Sequence, residues 1–286
     1  MLNIVGLHFN FTFIAISSAI FAAVANILAR TLLKNLRARD MLGINFLIMA
    51  VTLLVISPFF YMFHFSPRNL ALVVIVAVID TAGNYFYFKT FEKTEASIAT
   101  PILSLAPGFT FLFGWLILGD IVSIGTYFLA FLIITLVLIF SIDFKNLPVF
   151  KADTLIPALI SSFLFGVSAI PSKILLSNLA AINAPTLYMF RAGFIGVFAL
   201  MFFGFKVKSI SSKQYGTIFL RGLFVIAQWV LLYFALSHGN AGVSVTLGNI
   251  TPIFVFILSA IFLREKPTLK KLLVSILILG LSLIIK

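Results

Sequence analysis

The stretch ASIATPILSLAPGFTFLFGWLILGD, residues 96–120, aligns without gaps with AGVSVTLGNITPIFVFILSAIFLRE, residues 241–265. Pro107 and Pro252 occupy the same place in the two stretches, and the segments immediately upstream keep the same register. Segments that recur in the same order indicate that a chain consists of related units. We therefore predict an internal repeat.

Composition determines the solvent in which the repeat folds. Of the 286 residues, 62% are hydrophobic and 10% are charged, whereas soluble domains have about 45–50% apolar and about 25% charged residues. Apolar segments long enough to cross a hydrocarbon layer of about 30 Å recur along the whole chain. The sequence therefore predicts an integral membrane protein. It contains no cysteine, which excludes disulfides, thiolate metal ligands and a cysteine nucleophile.

Charged residues, prolines and glycines separate the apolar segments into ten predicted spans: 11–33, 41–62, 70–90, 97–118, 121–141, 154–178, 184–204, 214–236, 242–263 and 269–285. We expect each span to be one continuous helix, because a helix satisfies its own backbone polar groups in lipid. The first span has no basic flank and no cleavage site, so we interpret it as a retained helix.

The predicted fold is all-α, with ten transmembrane helices in two five-helix repeats, residues 1–143 and 144–286. The connection at 141–153 lies at the centre of the chain. Because each half has an odd number of helices, the second half enters the membrane in the opposite direction. The repeat is therefore predicted to be inverted.

Loop charges give an independent prediction of orientation. The connections after helices 1, 3, 5, 7 and 9 carry 15 of the 20 basic residues: Arg30, Lys34, Arg37, Arg39, Lys89, Lys93, Lys145, Lys151, Lys206, Lys208, Lys213, Arg264, Lys266, Lys270 and Lys271. The opposite side carries only Arg68 and Lys286. The positive-inside rule places both termini outside the cytoplasm. Orientation and anionic lipid explain the net charge of +12, and no nucleic-acid partner is expected.

One acid lies inside a predicted span. Asp80 is near the middle of the third span, where a charged side chain costs at least ~2.5–3.5 kcal/mol. Asn84 and Tyr87 follow at helical spacing and share its face. We interpret this face as part of a substrate cavity in which Asp80 binds a cationic group or exchanges a proton. The alternative is a structural ion pair of Asp80 with Arg191 or Arg221.

Three basic residues that belong to neither set of loops lie inside predicted spans. Lys173 and Arg191 are candidates to bind a carboxylate or phosphate, and a guanidinium offers the bidentate geometry for it. The alternative for Arg191 is that it ties helices together through backbone carbonyls. Arg221 is close enough to a helix end that we interpret it as an interfacial anchor. A cavity with Asp80 and these cations suits a zwitterion such as an amino acid.

Polar and aromatic residues near the middle of the later spans complete the candidate site: Gln228, Trp229 and Asn249. Trp229 lies away from the interfacial belt where tryptophan is usually enriched, so we expect it to form a flat wall for the substrate. For hydroxyls beside a proline, such as those of Thr100, Ser104 and Thr251, we favour bonding to freed backbone groups.

Pro107 and Pro252 weaken the backbone hydrogen bonding of the fourth and ninth predicted spans, because proline has no amide donor and clashes with the preceding turn. We predict paired hinges at these positions. The alternative is that both prolines produce static kinks that fit neighbouring helices.

Three motifs of the second half carry a family resemblance: FGVSAIPSK (165–173), PTLYMFRAGF (185–194) and NITPIFVFILSAIFLREKPT (249–268). They resemble the drug/metabolite transporter superfamily, EamA type. The resemblance implies a ten-helix carrier of two five-helix repeats that works by alternating access. The first half departs from the pattern, since Asn45 and Phe46 occupy the place that Arg191 has in the second half.

Together these patterns predict a secondary transporter, a permease, in the inner membrane. Its partners are membrane lipid and a small organic metabolite, most plausibly an amino acid or related zwitterion, with proton coupling through Asp80. No cofactor or metal is expected. A flippase for a lipid-linked carrier is the alternative. An intramembrane enzyme is less favoured, because the histidines are scattered and no acid pair lies within a span, and nothing in the sequence resembles a channel filter.

Overall fold

The computed structural model describes residues 11–93, 99, 102–141, 152–178, 181–204, 210–262 and 269–285. The predicted boundary at 143/144, the charged loop residues at 145, 151, 206, 208, 264 and 266, and the positions of Thr100, Glu265 and Lys286 lie outside these ranges. The helices are α1 (Phe11–Leu33), α2 (Ala38–Ile56), α3 (Pro67–Lys93), α4 (Ala106–Phe113), α5 (Ile124–Ser141), α6 (Ala152–Ser177), α7 (Ala184–Phe203), α8 (Ser212–His238), α9 (Ala241–Gly248), α10 (Thr251–Phe262) and α11 (Leu269–Ile284).

The helix boundaries follow the register of the sequence repeat. A shift of 145 residues, which superimposes 96–120 on 241–265, also carries Pro67–Lys93 onto Ser212–His238. The same shift carries the start of α4 onto the start of α10, and the start of α5 onto that of α11. The two-repeat layout therefore extends well beyond the stretches that revealed it.

Spans four and nine are not the continuous helices that we predicted. The fourth is interrupted by a turn at Ser104 and Leu105, and α4 then begins. The ninth is interrupted at Asn249 and Ile250, between α9 and α10. Proline is the second residue after each interruption, and there its missing amide costs nothing because the first turn of a helix has no intrahelical partner.

Apolar helices account for most of the described chain. Seven are long and apolar enough to cross a membrane, among them Ala241–Leu258, which includes the second interruption. Three shorter apolar helices accompany them in the described ranges: Ala106–Leu118, Ile124–Val137 and Leu273–Ile284. Side chains such as Val55, Trp115 and Phe202 lie exposed on the outside of the bundle. This is a multi-pass membrane protein, and its division into ten spans remains a prediction.

The two repeats pack through equivalent helix pairs. The most extensive interfaces are α3 with α6 and α1 with α8, which correspond to each other under the repeat. Two further pairs, α2 with α7 and α5 with α11, each join a helix to its own counterpart. Each repeat therefore completes the core of the other.

Loop contacts define the ends of the bundle. The loop after α2 meets the loop between α6 and α7, where the amide of His64 donates to the carbonyl of Ala181 (2.7 Å) and the Asn183 side-chain amide donates to the carbonyl of Phe60 (2.6 Å). At the opposite end, the amide of Ala38 donates to Glu92 Oε2 (2.9 Å). We refer to these as the α6–α7 end and the α7–α8 end.

Gly166 allows a close approach between α6 and α4. A Cβ at this position would lie 2.6 Å from the carbonyl oxygen of Ala106 and 2.6 Å from Cβ of Phe109. The Thr110 hydroxyl uses the space to donate to the carbonyl of Gly166 (3.2 Å). The first part of α4, next to the interruption, is therefore positioned by a contact that only glycine permits.

We expect Gly166→Ala to lower the unfolding temperature of the purified protein, because the methyl group must displace backbone and overpacking typically costs ~1–3 kcal/mol. Gly216→Ala is the matched control, since Gly216 lies inside α8 and a Cβ there would meet nothing within 4 Å. The control is expected to be neutral or slightly stabilising. Equal unfolding temperatures for the two variants would contradict this packing.

Candidate functional site

A polar cavity lies between the two repeats. Its volume is about 100 Å³, which is room for several waters or for part of a small solute. Its lining comes from both repeats: Ser18, Asn26, Asn84, Tyr87 and Ser104 from the first, and Ser168, Ser172, Arg221, Gln228, Trp229, Tyr233, Asn249 and Thr251 from the second, with apolar residues between them. Such a lining suits a solute that is both polar and partly apolar.

Five of the eight predicted binding residues line this cavity: Asn84, Tyr87, Gln228, Trp229 and Asn249. They come from α3, from α8 and from the interruption after α9. The other three, Asp80, Lys173 and Arg191, are not part of the lining. The structure thus brings most of the predicted residues together, although the predicted charges lie elsewhere.

Asp80 and Arg191 form a buried ion pair between α3 and α7. The carboxylate contacts Nε of the guanidinium, and neither side chain is exposed. Ser168 of α6 lies beside the same carboxylate. This is the structural alternative considered for Asp80. Removing one member of a buried pair typically costs 3–5 kcal/mol, because the other charge is then left without a partner.

Trp229 lies between the guanidinium of Arg191 and the cavity. The guanidinium of Arg191 lies 3.7 Å from the centroid of the indole, which is a close cation–π contact. The ring centroids of Tyr188, Tyr233 and Phe165 lie 6.4 Å, 5.7 Å and 6.0 Å from the centroid of the Trp229 ring. Trp229 is therefore held in place, and it lines the cavity.

Lys173 ties α6 to the end of α8. Its ammonium group donates to the carbonyl of Leu236 (2.6 Å) and to that of Gly239 (2.7 Å). Carbonyls at a helix C-terminus lack intrahelical donors and carry partial negative charge, so a cation is favourable there. In this structure the ammonium group of Lys173 is held by these two carbonyls, at the α6–α7 end of the bundle.

Arg221 does not lie at the interface, where we expected an anchor. Its side chain is buried, with 3% exposure, and it lines the cavity. Nη1 donates to the side-chain carbonyl of Asn45 in α2 (2.8 Å), and the guanidinium lies 4.9 Å from the ring of Phe88. The prediction failed because it used the distance from the helix end alone, whereas the rotation of α8 directs this residue inward.

Both helix interruptions contribute to the cavity and contact each other. The hydroxyl of Ser104 donates to the carbonyl of Asn249 (3.2 Å), which joins the interruption of one repeat to that of the other. The hydroxyl of Thr251 donates to the carbonyl of Gly248 (3.1 Å). Pro252 cannot bond this carbonyl, because proline has no amide N–H. Non-helical backbone is tolerated at membrane depth where protein or a water-filled cavity surrounds it.

The sequence analysis missed Asn26, Ser168, Ser172, Arg221 and Tyr233 as lining residues. Helical spacing contained part of the signal. Arg221 precedes Gln228, a predicted site residue, by seven positions, which is two turns of the same face. Asn26 is joined to the predicted residue Tyr87 by a tertiary contact, since the hydroxyl of Tyr87 donates to Oδ1 of Asn26 (2.5 Å). A polar residue on a face that already carries predicted site residues is the pattern that would have found Arg221 and Tyr233.

Comparisons with known proteins agree with this architecture. The model of the EamA-like transporter family matches residues 11–142 and 154–285, one match for each repeat. No curated protein matches the chain at a significant level. One solved crystal structure aligns with 95% of this chain over 93% of its own length, with a TM-score of 0.72. The sequence identity is 13%, so this similarity concerns the fold alone. Since the family matches cover both repeats, the chain belongs to the EamA-like transporter family of the drug/metabolite transporter superfamily, whose members are membrane transporters of small solutes.

Proposed function

We propose that this protein is a secondary transporter that moves a small organic metabolite, an amino acid or a related zwitterion, across the inner membrane by alternating access. The observation that carries the proposal is the polar cavity between the repeats, lined by Asn84, Trp229 and both helix interruptions. Its limited volume favours a small solute over the bulky amphiphile of a flippase.

Two polar pairs that join equivalent helices of the repeats support alternating access. Asp80 of α3 is paired with Arg191 of α7, and Arg221 of α8 is paired with Asn45 of α2. Because α3 corresponds to α8 and α2 to α7, the two pairs join equivalent helices. Arg191 is about 10 Å from the start of α7, and Arg221 is about 13 Å from the start of α8, at the opposite end of the bundle. Breaking one pair while the other holds would open the cavity to one side.

Transport should be saturable and should depend on the cavity wall. We expect proteoliposomes loaded with unlabelled amino acid to exchange it for labelled amino acid, and we expect Trp229→Ala to reduce the exchange rate about tenfold or more, because the flat wall is lost. Trp115→Ala is the control, since Trp115 is 55% exposed on the outside of the bundle. Flux that rises linearly with concentration, or equal loss in both variants, would contradict a carrier with this site.

Proton coupling, if Asp80 provides it, requires that a proton on the carboxylate release Arg191 and thereby loosen α3 from α7. We expect Asp80→Asn to destabilise the protein by about 3–5 kcal/mol, because Arg191 is left buried and unpaired. Adding Arg191→Met should restore most of that stability. In the double variant, uptake should no longer respond to an imposed pH gradient, while exchange persists. An unchanged response to the gradient would exclude Asp80 as the coupling group.

Topology can be tested with reporters that are active on only one side of the membrane. A fusion after Lys286 should report the side opposite the cytoplasm, because the loops rich in lysine and arginine face the cytoplasm. A fusion at Lys145, in the central connection, should report the cytoplasm and serves as the internal control. A cytoplasmic signal from both positions would contradict the proposed orientation.

A further inference from the structure

The cavity carries an uncompensated positive charge. Among its described lining residues, Arg221 alone is ionised at neutral pH, and the others are neutral polar, aromatic or aliphatic. Within the described part of the chain, no carboxylate lies within 4 Å of Arg221. A buried cation without an anion is costly, so its retention requires a compensating interaction.

Arg221 differs in this respect from Arg191. The guanidinium of Arg191 has Asp80 as a counter-ion and is separated from the cavity by Trp229. The guanidinium of Arg221 has the neutral amide of Asn45 and the ring of Phe88. The two polar pairs thus join equivalent helices and differ in charge balance: one is neutral overall, and the other is positive.

The described protein groups do not satisfy all the donors of the Arg221 guanidinium. Nη1 is used by Asn45, whereas Nε has no hydrogen-bond partner among the described residues although it is buried. The hydroxyl of Tyr87 interacts with the same guanidinium and bonds to Asn26, and all three residues line the cavity. The single O–H of Tyr87 is donated to Asn26, so the remaining N–H groups of the guanidinium are the donors for the oxygens of an anion.

We propose that Arg221 is the binding site for the carboxylate of the transported solute. This inference rests on the proposed transport function and identifies the part of the solute that is recognised: a carboxylate at Arg221, with the remainder of the molecule toward Trp229 and Phe165. A solute that supplies the missing anion neutralises the cavity when it binds. The empty and loaded carriers therefore differ by one charge next to α2, α3 and α8.

Binding can be measured without assuming which solute is transported. The chain has two tryptophans, so Trp115→Phe leaves Trp229 as a fluorescent reporter in the cavity wall. In this background the purified protein is titrated, at constant ionic strength, with valine, 3-methylbutanoate, valinamide and isobutylamine, and with glycine, alanine and succinate to cover other sizes. We expect the carboxylates that fit to change the Trp229 emission, and the amide and the amine of the same skeleton to bind far more weakly.

Variants at Arg221 test the assignment. Arg221→Gln should weaken carboxylate binding roughly 10- to 100-fold, the range for loss of a hydrogen bond to a charged group. Arg221→Lys should bind with intermediate affinity, because an ammonium keeps the charge but not the bidentate fork. Arg68→Gln is the charge-matched control, since Arg68 is exposed at the start of α3 and lies outside the cavity.

Asn45→Asp separates ligand binding from a purely structural role. This variant keeps Arg221 and its contact with α2 but supplies an internal carboxylate, as Asp80 does for Arg191. We expect it to remain folded and to lose carboxylate binding. If Arg221 only held α2 and α8 together, Asn45→Asp would strengthen that contact and leave binding unchanged, which would overturn the proposal.

The outcomes for the site and for transport are distinguishable. If no carboxylate in the panel gives an Arg221-dependent response, or if valinamide and isobutylamine bind as well as valine, the carboxylate site is wrong even where exchange of a solute is observed. If carboxylates bind through Arg221 and none is exchanged in proteoliposomes, the site stands and the proposed transport function fails.

Discussion

Hydrocarbon offers no hydrogen bonds, and this constraint explains where the chain departs from regular helix. The backbone is interrupted in spans four and nine, at Ser104 and at Asn249, where the two repeats touch. The hydroxyl of Ser104 donates to the carbonyl of Asn249, and the hydroxyl of Thr251 donates to that of Gly248. Residues of both interruptions also form part of the cavity wall. The irregular backbone, the repeat interface and the cavity therefore coincide for one physical reason.

Charge is arranged under the same constraint. Asp80 and Arg191 are fully buried and neutralise each other, while Lys173 uses carbonyls at the end of α8. Arg221 is the exception among the described lining residues of the cavity, since it has no carboxylate partner there. An apolar interior that tolerates one unmatched cation is suited to a ligand that carries the matching anion.

Much of the fold could be read from the sequence, because hydrophobic length and repeat register survive without tertiary information. The span 11–33 agrees with α1 at its C-terminal end, and the alignment of Pro107 with Pro252 gave the register that relates α3 to α8. The interruptions were missed because the hydroxyl of Ser104 reaches a carbonyl 145 positions away. Arg221 was misplaced because helix rotation, not depth, decides whether a side chain meets lipid or cavity.

Packing across the repeats has a consequence for biogenesis. The partner of α3 is α6, and the partner of α1 is α8, so the first half of the chain emerges from the ribosome before the surfaces that cover it exist. Asp80 enters the bilayer more than a hundred residues before Arg191 is synthesised. Until then its charge must be protonated, hydrated or shielded by the insertion machinery. Membrane insertion of the early helices and their final folding are therefore separate events, and the second is completed only after the chain has been made as far as α11, the partner of α5.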